Sequence, residues 1–478
     1  MTSRSFWSSA SELNRPRRFR KYSLSFVAAV TFTGLSFGQN QPSLNQDLDH
    51  TIASTRSAFG VPSVSVAVVK DGATVYAKAF GQSDLARQKV ANAETRYAVG
   101  SISKQFTAAA LLLEQEKGKV SLDDKVSKYF PNLTRANEVS IRQLLSHTSG
   151  YEDYAPQDYL IASWTRPTTP DAILDKWANK PLNFDPGTQW QYSNTNYVLA
   201  GKILEKATGE ALLPFLQQHF FQPLGMSSAG DCDVKSAEDA SAYTRYALGP
   251  PRPVGREATG WYFAAGELCM TPSDLAKWDQ AFLAKRILSP ASYDEFTREV
   301  KLKNGKGTGY ALGLQVGEFQ GTTRISHSGE VSGFLAANNV FPEKHLAVVV
   351  LTNEDGVNLI GPLSREIAGL LINPDHAAAD KQDREVRNIL EGLQQGRIDR
   401  STLTENASSY FSEIALADYR NSLEPLGKLE ILSRQSDTLR GGMRHLSYRA
   451  HFDKNTVELN IYIMPNGKFE QFLVEEQF

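Results

Sequence analysis

Residues 97–106 read Tyr-Ala-Val-Gly-Ser-Ile-Ser-Lys-Gln-Phe and place Ser101 three positions before Lys104. From Phe106 to Leu113, apolar residues recur at the spacing of one helix face. The pattern predicts a helix that Ser101 opens. Because residues three apart share a helix face, we expect the Lys104 amine to lie beside the Ser101 hydroxyl.

This spacing indicates a nucleophile and its base. A serine hydroxyl is a weak nucleophile that needs an adjacent base, and a lysine becomes one when burial or a neighbouring cation keeps it neutral. A helix N-terminus adds partial positive charge and a backbone N–H where an oxyanion would form. An isolated Ser-x-x-Lys also arises when a capping serine precedes a surface lysine, so the pair alone leaves both interpretations open.

The composition is that of an ordinary soluble globular protein. With 478 residues, two or three structural units are expected. The chain carries 51 basic and 53 acidic residues, so it has no basic excess of the kind that nucleic-acid binding requires. Neither the cysteines nor the histidines show metal-ligand spacing, and we expect no metal site.

The N-terminal region differs from the rest of the chain. A basic cluster at 15–21 precedes an uncharged run at 22–38. This pattern predicts a secretory signal peptide over residues 1–38, cleaved before Gln39. A membrane anchor is the alternative, although a run of about 17 residues is short for spanning a bilayer. We expect a periplasmic or extracellular protein that meets the membrane only during export.

The chain contains two cysteines, Cys232 and Cys269. In an oxidising compartment they could form one disulfide. Two separately buried thiols fit the sequence equally well, so both alternatives stay open.

The order of predicted elements indicates an α+β domain over residues 45–373. Strand patterns occur at 61–79 and again at 309–352, a mainly helical region at 105–230 lies between them, and a helix at 359–371 follows. Strands from both ends of this segment are expected to share one sheet, with a helical subdomain inserted.

The last part of the chain predicts a separate small α+β module at 381–478, after a linker at 374–380. A helical pattern at its start precedes four strand-like runs. In the third run, at 456–464, apolar residues alternate with mostly polar ones, which is typical of a sheet with one buried face. The module shows no catalytic cluster.

Two further stretches could complete a catalytic site. Trp-Gln-Tyr-Ser-Asn-Thr-Asn at 190–196 places Tyr192 and Asn194 on a loop before a helix. A tyrosine held beside a lysine loses its proton more readily or relays one. Ile-Ser-His-Ser-Gly at 325–329 closes a strand, and His327 could place a proton or cation near the leaving group or a substrate carboxylate.

Together, Ser-x-x-Lys, Tyr-x-Asn and His-x-Gly resemble the motif set of the serine β-lactamase and penicillin-binding-protein superfamily. The stretches at 141–150, 222–226 and 264–278 resemble further signatures of that family. The resemblance covers residues 45–372 and is strongest to the class C β-lactamase-like branch, which includes esterases, D-aminopeptidases and D-alanyl-D-alanine carboxypeptidases. It implies an antiparallel sheet flanked by helices and catalysis without a cofactor.

The resemblance also implies a role for each matching residue. Ser101 would attack a carbonyl and become acylated, with Lys104 assisting its deprotonation. Tyr192 would act as base and then as proton donor, and Asn194 would position the substrate. The backbone N–H groups of Ser101 and Glu330 would form the oxyanion hole.

This sequence departs from the family pattern in its third motif. His327 replaces the lysine of Lys-Thr-Gly, and Ser328 replaces the threonine before Gly329. Glu330 stands where a small residue is common. We hypothesise that Glu330, if it points into the cleft, disfavours carboxylate-bearing substrates such as β-lactams and D-Ala peptides.

The sequence therefore predicts a secreted serine hydrolase that acts through an acyl-enzyme on an amide, ester or β-lactam, with esterase or peptidase activity favoured. Its substrate would be a small molecule, a peptide or an ester, with peptidoglycan fragments among the candidates. The alternative is a penicillin-recognising binding or scaffolding protein with slow or lost turnover. The C-terminal module loosely resembles accessory domains of such enzymes and would cap the cleft, mediate dimerisation or pack alongside.

Overall fold

The computed structural model describes residues 41–157, 159–247, 249–372 and 376–476. The predicted signal peptide at 1–38 lies outside these residues. The described residues from 45 onward form one compact unit. No helix within the described ranges is both long enough and apolar enough to cross a membrane.

The structure up to residue 372 contains ten α-helices and twelve strands among the described residues. The helices are α1 (Gln41–Phe59), α2 (Ser103–Glu116), α3 (Ile141–Leu145), α4 (Pro170–Ile173), α5 (Asn194–Thr208), α6 (Leu212–Leu216), α7 (Phe263–Gly266), α8 (Pro272–Leu283), α9 (Pro290–Thr297) and α10 (Ile360–Ile372). The strands are β1 (Ser63–Lys70), β2 (Ala73–Asp84), β3 (Lys89–Val90), β4 (Tyr97–Ala98), β5 (Gly230–Asp231), β6 (Tyr243–Thr244), β7 (Arg252–Pro253), β8 (Leu268–Met270), β9 (Gln315–Phe319), β10 (Thr322–Val331), β11 (Phe334–Phe341) and β12 (Leu346–Thr352).

A seven-stranded antiparallel sheet joins the two ends of this segment. Its order is β3-β2-β1-β12-β11-β10-β9, and the central pair aligns Val66 with Val350. Both central strands are apolar and buried because helices cover both faces of the sheet. Helix α8 packs against β1 and β12, and α10 packs against β11 and β12. The predicted α+β class, with an antiparallel sheet flanked by helices, is confirmed.

Helix α2 lies in the main apolar core. Its first ten residues are all buried, so it has no solvent-exposed face over that length. The Phe106 ring lies 4.3 Å from the Trp278 ring of α8, centroid to centroid. The Trp278 indole N–H donates to Gln105 Oε1 at 2.8 Å, which satisfies two buried polar groups together. These contacts fix the helix that begins two residues after Ser101.

The C-terminal part has its own sheet and apolar cluster. Its elements are α11 (His376–Gln394), α12 (Glu405–Tyr410), α13 (Glu413–Leu423), β13 (Leu429–Arg440), β14 (Met443–Phe452), β15 (Thr456–Ile463) and β16 (Phe469–Glu476). The four strands pair in chain order, and the apolar positions of β15 are buried in alternation. Helix α11 includes residues 376–380 of the predicted linker, and residues 374 and 375 lie outside the described ranges.

One half-buried carboxylate links this part to the rest of the structure. Ser433 of β13 donates through its hydroxyl to Glu366 Oε1 of α10 at 2.6 Å, and Thr55 of α1 contacts Oε2 of the same carboxylate at 3.5 Å. Burial raises the pKa of Glu366, while both hydroxyls and the Arg449 guanidinium oppose that rise. The domain boundaries drawn from the sequence stay a prediction.

Candidate active site

Two glycines bring strand β10 against the turn that carries Ser101. This turn is a 3₁₀ segment, Gly100–Ile102, that continues directly into α2. Gly100 has φ +49°, and a Cβ there would lie 2.8 Å from the backbone nitrogen of Glu330. A Cβ on Gly329 would lie 1.9 Å from the carbonyl oxygen of Val99. Any larger residue at position 329 would push the strand away from the nucleophile.

The backbone geometry brings the two predicted oxyanion donors together. Strands β10 and β11 join through a two-residue loop that the pair Val331 and Phe334 closes. Glu330 and Leu335 form the second pair from the loop. In such a hairpin this second pair does not exchange hydrogen bonds, so the Glu330 N–H points away from β11. A Cβ on Gly329 would also lie 3.2 Å from the backbone nitrogen of Ser101. The oxyanion role of these two nitrogens stays a prediction.

Lys104 is fully buried and makes three hydrogen bonds. Its Nζ donates to Ser101 Oγ at 2.8 Å, to Asn194 Oδ1 at 2.8 Å and to the Ala265 carbonyl oxygen at 2.7 Å. Burial lowers the pKa of Lys104 to about 7, and the Asp153 carboxylate opposes this shift. Of the three partners, only the serine hydroxyl can donate a proton. The lone pair of a neutral Lys104 must therefore face Ser101.

Asp153 fixes the orientation of Asn194. The Asn194 backbone N–H donates to Asp153 Oδ1 at 2.9 Å, and its Nδ2 contacts the same oxygen at 3.2 Å. A carboxylate accepts only, so the amide oxygen of Asn194 is left to face Lys104. Burial raises the pKa of Asp153, with the backbone N–H groups of Ala155 and Asn194 opposing that rise. The sequence analysis did not identify Asp153 as a site residue. The one feature that could have indicated it is its position just after the family-like block at 141–150.

The hydroxyl of Tyr192 is buried beside Ser101. No described residue forms a hydrogen bond with this oxygen that meets ordinary geometric limits, although the Ser101 hydroxyl is close enough to act on its pKa. Burial raises the pKa of Tyr192 above its usual range, and Ser101 only partly opposes this. Lys104 Nζ lies 5.0 Å from the ring centroid. The sequence allowed two roles for Tyr192, easier loss of its proton or relay of a proton, and the direction of the pKa shift opposes the first because desolvation is its largest cause.

His327 is buried and neutral near pH 7. Its Nδ1 lies 2.5 Å from the Ser328 carbonyl oxygen, which only accepts, so Nδ1 carries the proton. Nε2 then accepts from the Tyr310 hydroxyl at 2.8 Å. Burial lowers the pKa of His327 to about 3, and repulsion from Lys104 adds to the effect. His327 therefore does not provide a cation, one of the two roles that the sequence allowed for it. Complete desolvation of the imidazole is the reason.

The His147 ring packs against the Tyr192 ring. The sequence analysis did not identify His147 as a site residue. The two rings lie 4.2 Å apart, centroid to centroid. The backbone N–H of Ser193 donates to His147 Nδ1 at 3.2 Å. His147 comes from the family-like block at 141–150, so a signal for it was present in the sequence.

A cavity of about 540 Å³ opens above these groups. Of the predicted site residues, six line it: Ser101, Tyr192, Asn194, His327, Ser328 and Glu330. Gly329 instead presses against Val99. Among the described residues that line it, none is a lysine or arginine and four are carboxylic: Asp153, Glu257, Glu330 and Asp355. The Ser328 and Glu330 side chains are exposed at the cavity rim.

The structure joins Cys232 and Cys269 in a disulfide, with their Cα atoms 4.9 Å apart. Cys269 lies in β8, which pairs with β4, the strand leading to Ser101. Neither cysteine lines the catalytic cavity. Within the described part of the chain, no group of three histidine, cysteine or acidic side chains could hold a metal ion.

Comparison with known proteins gives consistent matches. A model of the beta-lactamase family matches residues 48–365. Penicillin-binding protein 4* of Bacillus subtilis (strain 168) is 26% identical over 413 residues, which cover 81% of this chain and 89% of that protein. D-aminopeptidase of Brucella anthropi is 28% identical over 300 residues, which cover 62% of this chain and 56% of that protein.

Among solved structures, the octameric penicillin-binding protein homologue from Pyrococcus abyssi is similar in fold. The TM-score is 0.59 at 22% identity, over 90% of this chain and 99% of that chain. At this identity the likeness concerns the fold alone. Its coverage is too large to be confined to residues before 373, so it extends into the C-terminal part.

Proposed function

This chain belongs to the beta-lactamase family and is a serine hydrolase, and on that premise we propose that it cleaves amide or ester bonds through an acyl-enzyme on Ser101. The observation that carries the proposal is the set of hydrogen bonds around Lys104. Two of its three partners only accept, so its lone pair has one possible proton donor, the Ser101 hydroxyl. This arrangement favours turnover over the binding-only alternative.

Acylation begins when neutral Lys104 takes the proton of Ser101 and the serine oxygen bonds to the substrate carbonyl carbon. The negative charge that develops on the carbonyl oxygen is stabilised by the backbone N–H groups of Ser101 and Glu330. When the tetrahedral intermediate collapses, the bond to the leaving nitrogen or oxygen breaks. Tyr192, a phenol at neutral pH, donates a proton to the leaving group, and the proton held by Lys104 restores the phenol.

Deacylation reverses the roles of serine and water. A water molecule gives a proton to Lys104 and bonds to the acyl carbon. The bond between this carbon and Ser101 Oγ then breaks, and Lys104 returns the proton to the serine. The pKa of about 7 suits Lys104 to both directions of transfer, since neither of its protonation states is strongly disfavoured near neutral pH.

The charges of the cavity favour substrates without a carboxylate near the scissile bond. Four carboxylic residues line the cavity, and neutral His327 stands where the Lys-Thr-Gly motif of the family has a lysine. A β-lactam carries a carboxylate close to its reactive carbonyl, and like charges at close range repel. We therefore favour esters and amides, including peptide-like amides, over β-lactams. The match to a protein named D-aminopeptidase supports an amide substrate.

We further propose that the protein works in the periplasm or outside the cell. The Cys232–Cys269 disulfide supports this, because disulfides persist mainly in oxidising compartments.

Covalent labelling with a fluorophosphonate probe tests the proposed nucleophile. Wild type should be labelled, Ser101→Ala should not, and Ser409→Ala, which alters an exposed serine of α12, should label like wild type. Turnover of p-nitrophenyl acetate, a D-amino-acid p-nitroanilide and nitrocefin measures the preference. Faster hydrolysis of nitrocefin than of both other substrates would contradict the proposed class.

A further inference from the structure

A second cavity, of about 290 Å³, lies beside the catalytic one on the face of the sheet that α10 covers. Ser326 and Ser328 of β10 line it and pair with Asn339 and Ala337 of β11, so this wall is formed by side chains of one sheet face. Helix α10 supplies the facing wall. We call this the α10 cavity.

Two arginines face each other in the α10 cavity. Arg324 comes from β10 and Arg365 from α10. Arg324 Nε is buried without a hydrogen-bond partner among the described residues. Burial lowers the pKa of Arg365, and repulsion from Arg449 and Arg324 adds to this effect. Across the described ranges, neither Arg324 nor Arg365 forms an ion pair, whereas Arg449 pairs with Glu458 at 3.1 Å.

This arrangement is costly without an anion. Arg324 is half-buried and loses part of its hydration, the exposed Arg365 adds repulsion, and no carboxylate among the described residues forms an ion pair with either guanidinium. Arginine presents planar, paired N–H donors that match a carboxylate or phosphate. Ser326, Asn339 and Ser364 add neutral polar groups around the same space. Glu330 and Asp355 line the end of this cavity nearest the catalytic site, so the positive charge, the donors and the concave shape of an anion site belong to its arginine end.

The α10 cavity is continuous with the catalytic cavity. The residues that line both are Gln315, His327, Ser328, Glu330 and Asp355. Arg324 precedes Ser328 by four residues on an extended strand, which separates their Cα atoms by about 13 Å. The next residue, Gly329, lies against the Ser101 backbone, since a Cβ there would be 3.2 Å from the Ser101 nitrogen. One molecule could therefore reach from the nucleophile to the arginine pair.

We propose that the α10 cavity is a subsite for an anionic group, a carboxylate or phosphate, that the substrate carries roughly 13 Å from its scissile bond. This inference rests on the proposed hydrolase function. It also agrees with the charge pattern along the groove. The acidic catalytic end repels an anion near the reacting carbonyl, and the arginine end binds one at a distance.

Kinetics with a matched substrate pair test the subsite. The p-nitrophenyl monoester of dodecanedioic acid carries a distal carboxylate, and its methyl-capped diester is neutral. In wild type the anionic ester should have kcat/KM about tenfold higher or more, the scale of a charge-assisted hydrogen bond. The ratio should fall to about one in Arg324→Gln/Arg365→Gln.

Arg87→Gln is the control for this ratio. Arg87 has an 84% exposed side chain and lies between β2 and β3, at the opposite edge of the sheet. This variant should keep the wild-type ratio, because it removes one positive charge elsewhere. A ratio near one in wild type, or a ratio unchanged in the double variant, would overturn the proposal.

A binding measurement separates this proposal from the function itself. In Ser101→Ala protein, the monomethyl ester of dodecanedioic acid, which carries one carboxylate, should raise the melting temperature at constant ionic strength, and the added arginine substitutions should abolish the rise. If the protein hydrolysed neither ester, the proposed function would be rejected. The binding measurement would still test the subsite, because it does not depend on turnover. Stabilisation by inorganic phosphate alone, with no substrate preference, would mean a free-anion site and overturn the assignment to substrate.

The same variants distinguish a binding role from a structural one. In buffer without polyvalent anions, Arg365→Gln should keep or raise the melting temperature, because it removes repulsion between cations. A fall of several degrees would show that Arg365 holds the fold through protein partners, and the assignment would then fail.

Discussion

Lys104 and Asp153 are joined through a single side chain, that of Asn194. The amide oxygen of Asn194 accepts from the Lys104 amine at 2.8 Å, and its amide nitrogen contacts the Asp153 carboxylate at 3.2 Å. The lysine is thus held in place by an uncharged group while a carboxylate acts on it from farther away. This separation leaves Lys104 able to lose its proton near neutral pH.

The first prediction concerns the pH dependence of catalysis. Because neutral Lys104 is the base and its pKa is about 7, kcat/KM should rise as the pH increases through about 7. Asp153 raises the pKa of Lys104, so Asp153→Asn should move this rise to lower pH. Glu152→Gln is the control, since it removes a carboxylate that pairs with Lys180 instead. A shift of equal size in both variants would contradict the assignment.

The second prediction separates activity from stability at Tyr192. Tyr192→Phe should lower kcat/KM by about 10² to 10⁴, the usual contribution of general acid–base catalysis. Its stability should stay equal or rise by up to about 1 kcal/mol, because the buried hydroxyl has no hydrogen-bond partner among the described residues. Chemical denaturation and steady-state kinetics measure the two effects. Tyr159→Phe, in an exposed tyrosine of the same cavity, should change neither.

The third prediction concerns the close approach at Gly329. In Gly329→Ala the new methyl group would meet the Val99 carbonyl oxygen at 1.9 Å, and only a backbone shift can relieve this clash. Since that shift moves the Glu330 N–H, kcat should fall by about 10² or more. Gly255→Ala, whose Cβ would lie 3.8 Å from a Leu160 methyl group, should retain activity. Wild-type kcat in Gly329→Ala would mean that this N–H does not stabilise the transition state.

The fourth prediction tests the charge of Glu330. Glu330→Ala and Glu330→Gln should both raise the rate on a cephalosporin relative to an ester by about fivefold, from roughly 1 kcal/mol of relieved repulsion. Glu318→Gln removes an exposed carboxylate on β9 and should leave the ratio unchanged. If neither substitution at position 330 alters the preference, Glu330 does not select against carboxylates.

The sequence was a good guide to which residues lie together in the site, and a poorer guide to their protonation states. The spacing of Ser101 and Lys104 on one helix face is a local property, and the structure brings the two atoms to 2.8 Å. The pKa directions of Tyr192 and His327 depend on burial by chain segments far away in sequence. Desolvation opposes easier proton loss, one of the two roles expected of Tyr192, and it removes the cation that was one of the two roles expected of His327.

Contacts made between loops were also beyond the sequence. Asp153 follows a recognisable block, but only the folded chain brings it to Asn194. The pairing of Cys232 with Cys269 was one of two open alternatives, because spacing alone does not bring the two sulfur atoms together. By contrast, the sheet was predictable, since apolar strand patterns at both ends of the segment require burial against each other.

The pairing of β1 with β12 sets how this protein folds. Thr352 donates to the Ser63 carbonyl oxygen across 289 residues, so the central strands can meet only after nearly the whole segment has been synthesised. Such non-local pairing makes folding slow, because a long loop must close before its contacts stabilise it. Until then the apolar β1 strand is an exposed edge that can associate with other chains. Production of active protein should therefore depend on slow synthesis or chaperones more than on the stability of the finished fold.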